Sequence, residues 1–295
     1  MYKNSSTRII NGCVIVCATR SGSTLLEDTV RTRLSELGCT PLWLREVLNH
    51  NTSVDYNLTS WSLANLEYGQ TPNFKSDIWN SLLLDMIAAG RVGRDNVVPV
   101  MRIAVHAFDL IGASTEQSVI RLLKEPTMLR ILLLRKSVKD QISSMILSTI
   151  TGIHNIKQEH AGEYNSYLET INQLKQNPPP VDKNVVDTSI RSVLRSYQYL
   201  SLSPLLFDQV VWYEDLINGH LSIPELDLSV EDTCRIMSSR KATRKLNDQT
   251  MLTLLSCIPA EDRTQIRQLL VDAESHCNLY SRGYDTGANL DPSLQ

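Results

Sequence analysis

Arg20, Ser21, Gly22, Ser23 and Thr24 form a small, polar, glycine-containing turn. An apolar run from Cys13 to Cys17 precedes it, and Leu26, Val30, Leu34 and Leu37 recur at helical spacing after it. The length and β-branched content of the run predict a strand over 13–18, and the periodicity predicts a helix over 22–37. Such a turn sits at a helix N-terminus, where the first N–H groups lack intrahelical partners and the macrodipole adds positive potential. The chemistry favoured there is the holding of an anion, a phosphate or sulfate above all. Ser21, Ser23 and Thr24 add hydroxyl donors, and Arg20 adds a fixed positive charge.

The loop of nucleotide triphosphatases follows the pattern G-x-x-x-x-G-K-[ST]. Aligned on Gly22 and Thr24, this chain has Cys17 in place of the first Gly and Ser23 in place of the Lys, so two defining positions fail. The stretch Thr19-Arg20-Ser21-Gly22-Ser23-Thr24-Leu25-Leu26 instead resembles the 5′-phosphosulfate loop of sulfotransferases that use 3′-phosphoadenosine 5′-phosphosulfate (PAPS). The resemblance implies a cofactor-binding role for Arg20, Ser21, Gly22, Ser23, Thr24 and Leu25.

Three later segments follow in the order of that family. Arg130 to Leu134 is an apolar strand that runs into Arg135-Lys136-Ser137 and a polar helix start. It is similar to the family's 3′-phosphate site, where an Arg ending a strand is followed by a Ser. By the spacing of cytosolic eukaryotic members that Ser is Ser143, and by that of the soluble bacterial branch similar to trehalose 2-sulfotransferase it is Ser144. Both stay open. Val210-Val211-Trp212-Tyr213-Glu214-Asp215-Leu216 resembles a strand ending in Tyr-Glu-Asp-Leu that holds the nucleotide-side loops in the family. Ser239 to Lys245 is the densest basic cluster of the chain. The resemblance implies a late basic loop over the 3′-phosphate and adenine there, with Arg244 and Lys245 as its residues.

Sulfuryl transfer needs a group that takes the acceptor's proton and donors that meet charge on the leaving phosphate. Arg20 and the turn supply the second. Two residues are candidates for the first. His106 follows the apolar strand Val97 to Val105, where cytosolic members carry a His two positions after a Lys; here Arg102 stands four positions before it. Glu46 follows Pro41 in the segment after the first helix, where the bacterial branch carries its general base, a Glu, two residues after a Pro; here Trp43 holds that spot and Glu46 comes three later.

The 295 residues, 42% of them hydrophobic, suffice for one large core. Apolar strands alternate with helical patterns: helices near 78–89, 115–124, 138 onward and 187–202, and strands at 97–105, 130–134 and from 210. That alternation predicts an α/β fold, a parallel sheet with helices on both faces. The resemblance makes it a P-loop-like sulfotransferase fold, one domain over 1–295. Irregular segments near 39–68 and 153–182 would bind the acceptor, with Trp43, Trp61, Tyr164 and Tyr167 available to stack on a ring.

No apolar run reaches the roughly 18 residues of a membrane span, and Met1 to Gly12 lacks the apolar core of an export signal. A cytoplasmic protein with no membrane partner is expected. A net charge of −3 gives no electrostatic case for nucleic acid. The six cysteines form no C-x-x-C pair, so no metal is expected, and Cys13 and Cys17 read as core. The expected function is sulfuryl transfer from PAPS to a hydroxyl or amine of a small acceptor, a sugar or specialised metabolite of a bacterial tailoring pathway. The alternatives are a P-loop-type kinase and a catalytically silent protein that binds the nucleotide product, PAP. A homodimer is left open.

Overall fold

Six consecutive apolar or small residues, Gly-Cys-Val-Ile-Val-Cys, can be buried on both sides only in the interior of a sheet covered on both faces. The computed structural model describes residues 2–3, 9–46, 48, 77–90, 96–105, 112–151, scattered positions between 165 and 177, 181–201, 207–238 and 250–285. Tyr2–Lys3 (β1) and Ile9–Ile10 (β2) pair antiparallel. Then follow Gly12–Cys17 (β3), the helix Ser23–Glu36 (α1), Thr40–Glu46 (β4), Asp77–Ala88 (α2), Val97–Ala104 (β5), Ala113–Lys124 (α3), Met128–Leu134 (β6) and Gln209–Trp212 (β7). The last five strands form one all-parallel sheet in the order β4-β5-β3-β6-β7.

The chain divides into two compact units, residues 1–136 with 206–240 and residues 137–205 with 241–295. The first holds the sheet. Cys13, Ile15 and Cys17 of β3 pack with Leu26, Val30 and Leu34 of α1 in its core, while Val14 and Val16 on the opposite face are equally buried. The helix Val230–Ser238 belongs to this unit and starts at a reciprocal cap. There the Asp232 N–H donates to Ser229 Oγ at 3.1 Å and the Ser229 N–H donates to Asp232 Oδ2 at 3.1 Å.

The second unit is helical: Val138–Thr151 (α4), Lys183–Ser201, Thr250–Cys257 and Ala260–Asp285. Helix α4 packs on the other three. Inside the unit the Tyr197 hydroxyl lies 3.3 Å from Gln141 Oε1, and Lys139 Nζ lies 3.6 Å from Glu274 Oε2. No described helix is long and apolar enough to cross a membrane.

One expectation is corrected. The segment from Cys39, expected to be irregular, opens with strand β4, an edge strand that among the described residues pairs only with β5. Pro41 cannot donate to a ladder and so obscures a strand pattern, yet an edge position tolerates it. A register shift between Trp43 and Arg45 breaks the alternation further. Residues 49–68 and most of 153–182 lie outside the described residues. A smaller difference is at Tyr213, which opens a short helix, Tyr213–Ile217, with Glu214 and Asp215 in its first turn where the dipole favours them.

The edge strand β7 is tied to β6 by more than its ladder. Arg130 Nη2 donates to Asp208 Oδ1 at 2.6 Å, Arg130 Nε donates to Asp208 Oδ2 at 3.0 Å, and the Arg130 backbone N–H donates to the same oxygen at 2.8 Å. Asp208→Ala would leave a mostly buried guanidinium without its carboxylate. It is expected to cost about 2–3 kcal/mol, read as a lower urea midpoint at unchanged slope.

Candidate functional site

Parallel strands end at one edge, so the turns that follow β3, β6 and β7 emerge side by side. The turn after β3 begins with Ser21 N–H donating to the Ala18 carbonyl at 3.3 Å. Arg20 and Gly22 both adopt the left-handed region, with φ of 61° and 88°. Gly22 is the N-cap of α1, makes no side-chain cap, and no acidic residue stands in the first helical turn. The helix therefore presents its first N–H groups with no carboxylate competing for them. Ser21 is fully buried, and its Oγ has no hydrogen-bond partner among the described residues.

A Cβ on Gly22 would overlap Tyr213 Cδ2 and Cε2, so the absence of a side chain lets the Tyr213 ring lie against the turn. Tyr213 is in turn stacked by Arg135, whose Cζ stands 4.6 Å from the ring centroid. Arg135 is only 4% exposed; its Nη1 donates to the Arg20 carbonyl at 3.3 Å, and its Nε lies 3.8 Å from Glu214 Oε1. Glu214 Oε2 accepts the Lys136 N–H at 2.8 Å, and Lys136 Nζ pairs with Asp215 Oδ1 at 2.8 Å. The three motif segments thus meet, with Arg135 bracing the turn.

On β5 the face toward α1 reads Val98, Val100, Arg102, Ala104. The charge that interrupts this face, Arg102, matches in sequence a family lysine only loosely. Arg102 Nη1 donates to Ser23 Oγ at 3.2 Å and to Thr24 Oγ1 at 2.9 Å. Its Nε stands 2.8 Å from Oε2 of the fully buried Glu27, an ion pair whose angle falls outside that of a hydrogen bond. Burial pushes the Glu27 carboxyl up to about 7, opposed by the Arg102 charge and by the Trp43 side chain; Asp28 also raises it, and Arg31 lowers it. Trp43 itself carries the Arg31 guanidinium 4.4 Å over its ring. A charged residue inside an apolar strand was the signal for Arg102, because such a group needs a partner.

The other candidates are placed as follows. Glu46 ends β4, in register with Arg102 of β5, and its side chain lies outside the described residues. His106, Arg244 and Lys245 lie outside them altogether. Leu25 sits in the first turn of α1, half-buried against the core. Ser143 and Ser144 belong to α4 in the second unit, whereas Arg135 belongs to the first. The Ser143 hydroxyl donates to the Lys139 carbonyl at 2.6 Å, within its own helix. Among the described residues no group of three or more His, Cys, Asp or Glu could hold a metal ion.

Two outcomes follow from this geometry. Gly22→Ala forces a left-handed backbone and an overlap with Tyr213, and is expected to cost at least about 2 kcal/mol by chemical denaturation. Because the folded state holds the Glu27 proton more tightly than the unfolded chain, wild-type stability carries a contribution that is lost as pH rises from the ordinary carboxylate range to about 7. Glu27→Gln has no such term, so its stability relative to wild type should rise by roughly 2–3 kcal/mol between pH 5 and pH 8.

No protein-family model matches the chain, and no curated protein matches it.

Proposed function

We propose that this chain is a PAPS-dependent sulfotransferase that sulfates a hydroxyl or amine of a small acceptor, such as a sugar or a specialised metabolite. The observation that carries the reading is the 18–24 turn. It combines an uncapped helix N-terminus, a buried Ser21 hydroxyl with no partner among the described residues, and the braced Arg20 carbonyl. It lies beside the Tyr213-Glu214-Asp215 segment that resembles the family's, and Arg135 touches both. The N–H groups at the start of α1 and the Ser21 hydroxyl fit the 5′-phosphosulfate end of PAPS, whose oxygens accept from N–H and O–H groups.

In the transfer, the bond from sulfur to the bridging phosphate oxygen breaks and a bond from sulfur to the acceptor oxygen or nitrogen forms. The acceptor's proton passes to a base, and PAP leaves with the added negative charge. Arg20 and the backbone N–H groups of the turn would meet that charge. The base is proposed among Glu46, whose backbone lies next to Arg102 in the β4–β5 register, and His106.

Titration calorimetry with PAP, with ATP as control ligand, tests this reading. Micromolar PAP binding is expected, with ATP at least about tenfold weaker and Arg20→Ala weakening PAP by about tenfold or more. Of Glu46→Ala and His106→Ala, one should keep PAP affinity and lose about 10²–10⁴-fold in turnover with PAPS and an acceptor. A preference for ATP over PAP would instead point to phosphoryl transfer. PAP binding without transfer to any acceptor would point to a silent binding protein.

A further inference from the structure

Arginine carries donors and no acceptor, so both contacts of Arg102 Nη1 run from the guanidinium to a hydroxyl oxygen. Ser23 Oγ at 3.2 Å and Thr24 Oγ1 at 2.9 Å are therefore held as acceptors. Each hydroxyl has one proton, which must point away from Arg102, and among the described residues neither proton meets a protein acceptor. The buried Ser21 hydroxyl, two residues before Ser23, has no hydrogen-bond partner among the described residues. Three hydroxyls around the first turn of a 14-residue helix thus have hydrogen-bonding capacity unmet within the described chain. A tetrahedral oxyanion suits them, because its oxygens accept from several donors at once.

Arg102 is aimed by what lies behind it. It reaches the two hydroxyls from the apolar face of β5, and Glu27, fully buried on α1, stands 2.8 Å from its Nε. A guanidinium and a carboxylate on that face cost desolvation that an apolar pair would avoid.

We propose that Arg102 is a positioning residue: locked by Glu27, it turns the hydroxyl protons of Ser23 and Thr24 onto the tetrahedral oxyanion bound at the turn. The inference rests on reading this turn as the phosphosulfate site, and it adds the pair that sets the direction of its donors. The charge of Arg102 is then secondary to its fork, and Glu27 assists anion binding in spite of its own negative charge.

The test measures binding of inorganic sulfate and of PAP to the full chain by calorimetry at pH 8, above the value of about 7 to which burial pushes the Glu27 carboxyl. Arg102→Lys keeps the charge without the fork and should weaken sulfate by about tenfold. The pair Ser23→Ala with Thr24→Val should cost about the same. All three substitutions together should lose no more than about twofold beyond the larger effect, because they remove one arrangement. Glu27→Gln removes a negative charge, which by Coulomb attraction alone tightens an anion; the expected result is binding about three- to tenfold weaker. Additive losses in the cycle, or tighter sulfate binding by Glu27→Gln, overturn the proposal. Sulfate binding with the expected coupling but no PAP binding removes the sulfotransferase reading and leaves the role of Arg102 standing. A wild-type protein that binds neither anion overturns both. Thermal melts accompany each variant, and Glu27→Gln, which keeps the side chain's shape, decides the sign even if Arg102→Lys fails to fold.

Discussion

The in-register parallel pairing of β3 with β6, and of β6 with β7, is the constraint on which the candidate site depends. Parallel strands deliver their C-terminal ends to one edge, so three turns far apart in the chain become neighbours there. Ligands of open α/β sheets gather at this edge for the same reason. A β3 that is buried throughout leaves the sheet into a helix whose dipole points its positive end back at the turn. The distance between the turns is then set by side chains: the Tyr213 ring fills the space a Cβ would take at Gly22, and Arg135 stacks on that ring while its Nη1 holds the Arg20 carbonyl.

This edge carries more charge than an apolar scaffold would choose. Arg135 is almost wholly buried, and Arg102 and Glu27 share the packed face between β5 and α1. Desolvating such groups costs several kcal/mol per ion before any pairing, and a well-packed apolar pair is often neutral or better for stability. The Arg130–Asp208 pair differs in kind, since it closes an edge strand onto its neighbour with three hydrogen bonds and gives the sheet its last register. One set of buried charges thus serves the fold, and the other serves the turn. A carboxyl pushed up to about 7 marks where the fold bears a cost.

The sequence by itself determined the local parts. The strand, turn and helix around Arg20 to Thr24 were legible because each depends on residues within a few positions: a continuous apolar run, a glycine where φ is positive, and a period of 3.6 in the residues that follow. The α/β class followed from the alternation of such units, and the parallel sheet bears it out. Strand β4 was not legible, because Pro41 and a bulge hide its period and only its pairing with β5 makes it a strand. Tertiary structure alone decided what each charge does. Arg135 reads in sequence as a cation at a strand end; its use as a brace is set by Tyr213 and Glu214, brought to it by the pairing of β6 with β7. Arg102 and Glu27 each look misplaced on an apolar face until β5 and α1 pack. The physical reason is range: backbone propensity acts over a few residues, whereas a buried charge is satisfied by whichever group the fold carries within about 3–4 Å of it.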